Sequence, residues 1–209
     1  MPSSKRSLRG LYAITDPVLL PGNKLFDGVE AALRGGAAII QYRNKYASDI
    51  ERQQEASTLK EIIDAFDALF LINDDLSLCQ RVGADGVHLG KSDGDIAEAR
   101  TILGPEKILG VTCHSDIRYA RKSSILGANY CAFGRLYPSQ TKPDAPECSL
   151  ETLAEALQGS YQSVAIGGIN LNNASDIIAL GTPMIAVIHA LFGQEDIEIA
   201  AKSFSSLFI

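Results

Sequence analysis

The amino-acid sequence predicts a single-domain (β/α)8 TIM barrel of the α/β class, and three observations predict it. Short, nearly continuous apolar runs alternate with longer segments of helical period, eight of each. Every unit reads strand first and helix last, which suits closure; an open doubly wound sheet usually stops at about five or six strands. The 209 residues fit one such barrel at the short end of its size range, leaving no linker or second domain.

In chain order, the expected strands are 11–15, 38–42, 69–73, 86–89, 108–113, 130–133, 163–166 and 184–188. Their apolar character is nearly unbroken because parallel strands of a barrel are covered on both faces. The expected helices are 24–34, 49–66, 76–82, 96–103, 117–126, 150–157, 172–180 and 197–207. Glycines follow many of these helices, and the phrases Gly83-Ala84-Asp85 and Gly127-Ala128-Asn129 lead straight into strands. These are read as helix-to-strand turns on the stability face of the barrel. Residues 134–149 hold three prolines and are too long and polar for a minimal loop, which marks a candidate active-site loop. Residues 1–10 are basic and polar, and are expected to be flexible or loosely attached.

Composition narrows the function. The chain carries 19 Lys and Arg against 25 Asp and Glu, a net charge of −6. That argues against nucleic acid, whose phosphate backbone needs a basic face, but leaves small phosphorylated ligands open. No run approaches the ~20 apolar residues of a membrane span, and residues 1–10 lack the apolar centre of a secretory signal. Cys79, Cys113, Cys131 and Cys148 form no CxxC pair, so a reduced cytoplasmic protein with ordinary thiols is expected.

In a barrel of this kind the strand C-termini and the loops after them carry chemistry. Gln41, Arg43 and Lys45 alternate after the second strand, so they share one face and can grip a polyanion. Asp74 and Asp93 follow neighbouring strands, and two carboxylates beside cations suit Mg2+ bridging a polyphosphate. Helix capping competes for these aspartates, with Asp75 and Asp95 the preferred caps. Ser139, Thr141 and Lys142 in the long loop offer hydroxyls and a charge to phosphate. Gly167-Gly168 opens toward a helix and lets backbone N–H groups approach an anion. Thr112 ends the fifth strand, with His114 two residues on; for His114 and His88, acid–base and structural roles both stand. Zinc spacing, a P-loop and a G-x-S-x-G elbow are absent.

Assembled in order, Leu11-Tyr12-Ala13-Ile14-Thr15-Asp16, Gln41-Tyr42-Arg43-Asn44-Lys45, Ile72-Asn73-Asp74-Asp75, Gly86-Val87-His88-Leu89-Gly90, Gly110-Val111-Thr112-Cys113-His114, the stretch from Phe133-Gly134 to Thr141-Lys142-Pro143, and Ala165-Ile166-Gly167-Gly168-Ile169 resemble the thiamine phosphate synthase family over nearly the full length. The resemblance implies a transferase of thiamine biosynthesis. It would displace pyrophosphate from a hydroxymethylpyrimidine diphosphate and join the pyrimidine methylene to the nitrogen of a thiazole phosphate, whose carboxylated form is also an expected substrate. It implies that Gln41, Arg43, Lys45, Asn73, Thr112 and Lys142 hold the pyrimidine diphosphate, with Tyr42 and Asn44 counted in the same segment. Lys142, Arg43, Lys45 and Thr112 would be catalytic, and Asp74 and Asp93 would bind Mg2+. Ser139, Gln140, Thr141, Gly167, Gly168, Ile188 and His189 would hold the thiazole phosphate. Lys91 stands where the family often has glutamine, and His189 where many members have serine. The expected partners are these two small molecules, with neither nucleic acid nor membrane, and homo-oligomerisation stays open.

Two other readings compete. A thiazole tautomerase on a similar barrel would use a strand-5 histidine such as His114, but has no need of the diphosphate machinery. A silent thiazole phosphate-binding barrel has no need of metal carboxylates. The glycine turn also yields a sharp expectation: Gly168→Val should raise the KM for thiazole phosphate far more than that for the pyrimidine diphosphate.

Overall fold

The computed structural model describes residues 7–139, 141 and 144–208. Eight parallel strands close into a barrel in sequence order: β1 (Gly10–Ile14), β2 (Ile39–Tyr42), β3 (Leu69–Asn73), β4 (Gly86–Leu89), β5 (Ile108–His114), β6 (Tyr130–Phe133), β7 (Gln162–Ile166) and β8 (Met184–Val187). β8 pairs back onto β1, with Gly10 opposite Met184 and Tyr12 opposite Ala186. The helices are α1 (Lys24–Arg34), α2 (Asp49–Asp64), α3 (Leu76–Val82), α4 (Ile96–Leu103), α5 (Ile117–Ile125), α6 (Leu150–Ala156), α7 (Ala174–Ala179), α8 (His189–Phe192) and α9 (Ile197–Ser205). Among the described residues no helix is long and apolar enough to cross a membrane.

Strand alternation divides the apolar side chains into two cores. One lies inside the barrel, where Tyr12, Ile39, Leu71, Tyr130, Val164 and Met184 are buried. The other lies between strands and helices and includes Leu11, Ile40, Phe70, Val87, Leu109 and Ile185. Strands other than β4, whose inward positions are Gly86 and His88, place apolar side chains on both faces, which explains the nearly unbroken apolar runs.

Helix starts follow from side-chain chemistry. Ser48 and Glu51 form a capping box at α2. Asp75 accepts from the Leu78 N–H at 2.8 Å and Asp95 from the Glu98 N–H at 2.9 Å, so the expected caps are the observed ones. The seventh helix starts later than expected. Asn170 Oδ1 accepts from the Asn172 N–H and Asn173 Oδ1 from the Asn170 N–H, both at 2.9 Å, and these local bonds hold a turn in place of helix. The short α8 lies where a loop was expected.

The described end of the N-terminal segment is tied down. Leu8 packs against the barrel interior and Arg9 donates to the Phe208 carbonyl at 3.1 Å. Gly10 is already in β1.

Candidate active site

A cavity of about 310 Å3 opens at the C-terminal ends of the strands. It gathers Gln41, Arg43, Lys45, Asn73, Asp74, Asp93, Thr112, Ser139, Thr141, Gly167, Gly168, Ile188 and His189, the expected site residues from seven strand ends. Gln140 and Lys142 lie outside the described residues. Ile14, Ala132, Val164, Ile166 and Ala186 give the cavity an apolar wall on which flat rings can rest.

Tyr42 and Asn44 do not line this cavity. The alternation that turns Gln41, Arg43 and Lys45 inward turns these two toward α2. Tyr42 is buried, and its hydroxyl donates to Glu55 Oε2 at 2.5 Å; Asn44 Nδ2 donates to the same oxygen at 3.0 Å. Their contact with α2 braces the segment that carries the cations.

Thr15 braces that segment from the other side. It is buried at the end of β1, and its hydroxyl oxygen accepts from the Arg43 N–H at 2.8 Å. Arg43 Nε is buried and has no hydrogen-bond partner among the described residues. A buried guanidinium N–H without an acceptor is costly unless an incoming anion satisfies it.

The acidic corner is built by β3 and β4. Asp74 sits in the left-handed region at φ 61°, a conformation that aspartate tolerates better than most residues. Its Oδ2 receives Lys45 Nζ at 3.0 Å and Asn73 Nδ2 at 2.6 Å, and Oδ1 receives the Gly90 N–H at 3.3 Å. Burial works to raise the Asp74 pKa. Lys45, by hydrogen bond and charge, the Gly90 amide and the neighbouring Asp93 carboxyl outweigh it and hold the pKa below the ordinary carboxylate value. Asp93 folds back over Gly90, where a Cβ would lie 2.0 Å from Asp93 Oδ2. Among the described residues no group of three or more His, Cys, Asp or Glu side chains gathers as a metal site; this corner offers a pair of carboxylates.

Lys91 turns away from that pair. Its ammonium meets Asp116 Oδ2 at 3.1 Å and lies 5.0 Å from the centre of the Tyr119 ring. His114 follows a register irregularity in β5 and lines the cavity at φ 53°.

Gly167 and Gly168 carry the long loop between β6 and α6. At Gly168, φ is +65° and a Cβ would meet the Pro138 carbonyl oxygen at 2.4 Å. Tyr137 N–H donates to the Gly167 carbonyl at 3.0 Å. The pair therefore seats the loop as well as lining the cavity, and α7 starts only at Ala174. This corrects the expectation for Gly168→Val: the added side chain strikes the loop that bears Ser139 and Thr141, so the damage extends beyond one end of the cavity.

A family model described as thiamine monophosphate synthase matches residues 11–191. The chain belongs to the thiamine monophosphate synthase family. It is 50% identical over 205 residues to the thiamine-phosphate synthase of Alcanivorax borkumensis, covering 96% of this chain and 94% of that one. It is 43% identical over 209 residues to the thiamine-phosphate synthase of Thioalkalivibrio sulfidiphilus, covering 100% and 99%. The solved thiamine phosphate pyrophosphorylase of Pyrococcus furiosus superposes with a TM-score of 0.89 at 35% identity, covering 97% of this chain and 96% of that one. Full-length similarity to family members agrees with a cavity built by strand ends all round the barrel.

Proposed function

We propose that this chain joins a hydroxymethylpyrimidine diphosphate to a thiazole phosphate, releasing pyrophosphate and thiamine phosphate. The observation that carries the reading is the buried, unpartnered Arg43 Nε beside Lys45 at the acidic corner of the cavity. A polyanion supplies the acceptor that Arg43 lacks. Lys45, half exposed, can swing from Asp74 to a phosphate oxygen at small cost.

Asp74 and Asp93 fit Mg2+, which commonly takes one or two carboxylates and completes its shell with substrate phosphate oxygens and water. When bound, the ion offsets charge developing on the diphosphate as it departs. The remaining work belongs to the chain. Arg43, Lys45 and Lys142 stabilise the leaving anion, and Thr112 adds a hydroxyl. The apolar wall of Ile14, Ala132 and Val164 holds the amino-pyrimidine ring, whose own electrons stabilise the cation formed as the C–O bond breaks. Ser139, Gln140, Thr141, Gly167, Gly168, Ile188 and His189 hold the thiazole phosphate so that its ring nitrogen faces that carbon. The nitrogen attacks with its own lone pair, so the step needs no general base. The cysteines are free thiols, which fits a reducing compartment, and we read the cytoplasm as the place of action.

The test is incubation of the purified protein with both phosphorylated halves and Mg2+. Thiamine phosphate and pyrophosphate should appear in equal amounts. Absence of both products with intact substrates would sink the reading.

A further inference from the structure

At the floor of the cavity, which Tyr12, Gln41, His88 and Thr112 line, five side chains from five strands join in one hydrogen-bonded chain. Gln41 Nε2 of β2 donates to the Tyr12 hydroxyl of β1. Tyr12 and Tyr130 of β6 share a hydrogen bond between their hydroxyl oxygens at 2.8 Å. The Tyr130 hydroxyl lies 2.9 Å from Nδ1 of His88 in β4, and His88 Nε2 lies 2.8 Å from Oγ1 of Thr112 in β5. The geometry is held by packing. His88 stacks on Tyr130 with ring centres 5.6 Å apart, and Tyr12 meets Tyr130 edge-on at 6.0 Å. Gly110 makes room for the phenol: a Cβ there would lie 2.0 Å from Tyr130 Cζ.

One arrangement of protons satisfies every group in the chain. Gln41 supplies an amide N–H, so Tyr12 accepts from it, and in this arrangement Tyr12 gives its own proton to Tyr130. Tyr130, accepting from Tyr12, gives its own proton to His88 Nδ1. A neutral imidazole that accepts at Nδ1 carries its proton on Nε2, and that N–H donates to Thr112 Oγ1. The Thr112 oxygen is thereby engaged as an acceptor, and its own proton is directed to the cavity it lines. Burial pushes both phenols well above the ordinary tyrosine range, so both keep their protons.

We propose that Tyr12, Tyr130 and His88 are positioning residues that lock the Thr112 hydroxyl as a hydrogen-bond donor toward the diphosphate. This rests on the reading of the cavity as the site of diphosphate transfer. A hydroxyl free to rotate offers an anion either a proton or a lone pair. One fixed as a donor is organised for negative charge before substrate arrives. None of the three needs to touch the reacting atoms.

The test combines a spectrum with a mutant cycle. The chain has 3 histidines, so nitrogen-15 NMR of the labelled full-length protein can read the tautomer of each imidazole. His88 should carry its proton on Nε2 in the wild type and become a tautomer mixture in Tyr130→Phe. In turnover, Tyr130→Phe should lower kcat/KM for the pyrimidine diphosphate about tenfold, the scale of one hydrogen bond to a charged group. Its KM for thiazole phosphate should not move. Thr112→Val should reproduce that loss, and the double variant should be no worse than Thr112→Val alone, because Tyr130 acts through Thr112. Additive losses, or a wild-type His88 protonated on Nδ1, would overturn the proposal. The wild-type spectrum needs neither a variant nor turnover. A protein that made no thiamine phosphate would refute the functional reading, while the tautomer would still decide the direction of the chain.

Discussion

Lys45 and Asp74 meet at the mouth of the barrel, with Nζ 3.0 Å from Oδ2, and they come from adjacent strand ends. Lys45 is 50% exposed and Asp74 23%, so the pair contributes about 1 kcal/mol or less to stability. In the proposed reaction its value would lie in keeping a carboxylate ionised beside a cation, both at hand for Mg2+ and the diphosphate. Metal dependence follows. Asp74→Asn is the informative change, because asparagine tolerates the φ of 61° that alanine would not. Asp74→Asn and Asp93→Ala should each lower kcat/KM at least about a hundredfold. By calorimetry, their Tm should move by less than about 4 °C. Full turnover in EDTA, or in the Asp93→Ala protein, would remove both residues from the mechanism.

Lys142 lies outside the described residues, in the loop that Gly167 and Gly168 seat against the cavity. Its ammonium should contribute most as charge develops on the departing pyrophosphate. Steady-state kinetics of Lys142→Ala should therefore show a larger fall in kcat than rise in KM. An unchanged kcat with weaker substrate binding would mean that the lysine only tethers the ground state.

The barrel was legible because burial on both strand faces leaves a plain mark, eight apolar runs separated by helical segments. The mouth was legible because parity groups Gln41, Arg43 and Lys45, and because strand order makes Asp74 and Asp93 neighbours. That same parity turns Tyr42 and Asn44 away from the cavity and onto Glu55, although they stand in the same family stretch. Thr15, Tyr12 and Tyr130 were missed for another reason. They sit inside apolar runs and read as core. A buried tyrosine hydroxyl requires a partner, which is the signal that could have found Tyr12 and Tyr130. Their joining to His88 depends on contacts across the barrel, beyond any local pattern.

Burial also governs the thiols. Cys79, Cys113, Cys131 and Cys148 are all free and buried. Burial pushes Cys79 and Cys148 up to about 11, and Cys113, with the Cys131 thiol as its neighbour and buried, also lies above the ordinary value. A thiol reacts as its thiolate. The native protein should therefore show no fast reaction with Ellman's reagent at pH 8, and the denatured chain should release the full equivalent of 4 thiols. One rapidly titrating native thiol would contradict this packing.

The two ends of the cavity call for separate probes, and Gly168 cannot supply one. Its Cβ would enter the loop at the Pro138 carbonyl oxygen, from a backbone already at φ +65°. Gly168→Val should therefore weaken both substrates and lower Tm, whichever ligand lies beside it. His189 is the cleaner choice. It is exposed, starts α8, lines the cavity and accepts truncation without disturbing a strand. A hydrogen bond from its imidazole to a phosphate monoester would contribute about 1.5–3 kcal/mol. His189→Ala should then raise the KM for thiazole phosphate about tenfold or more and leave that for the pyrimidine diphosphate within twofold. The opposite selectivity would exchange the two phosphate sites, and equal loss toward both substrates would remove His189 from the thiazole end.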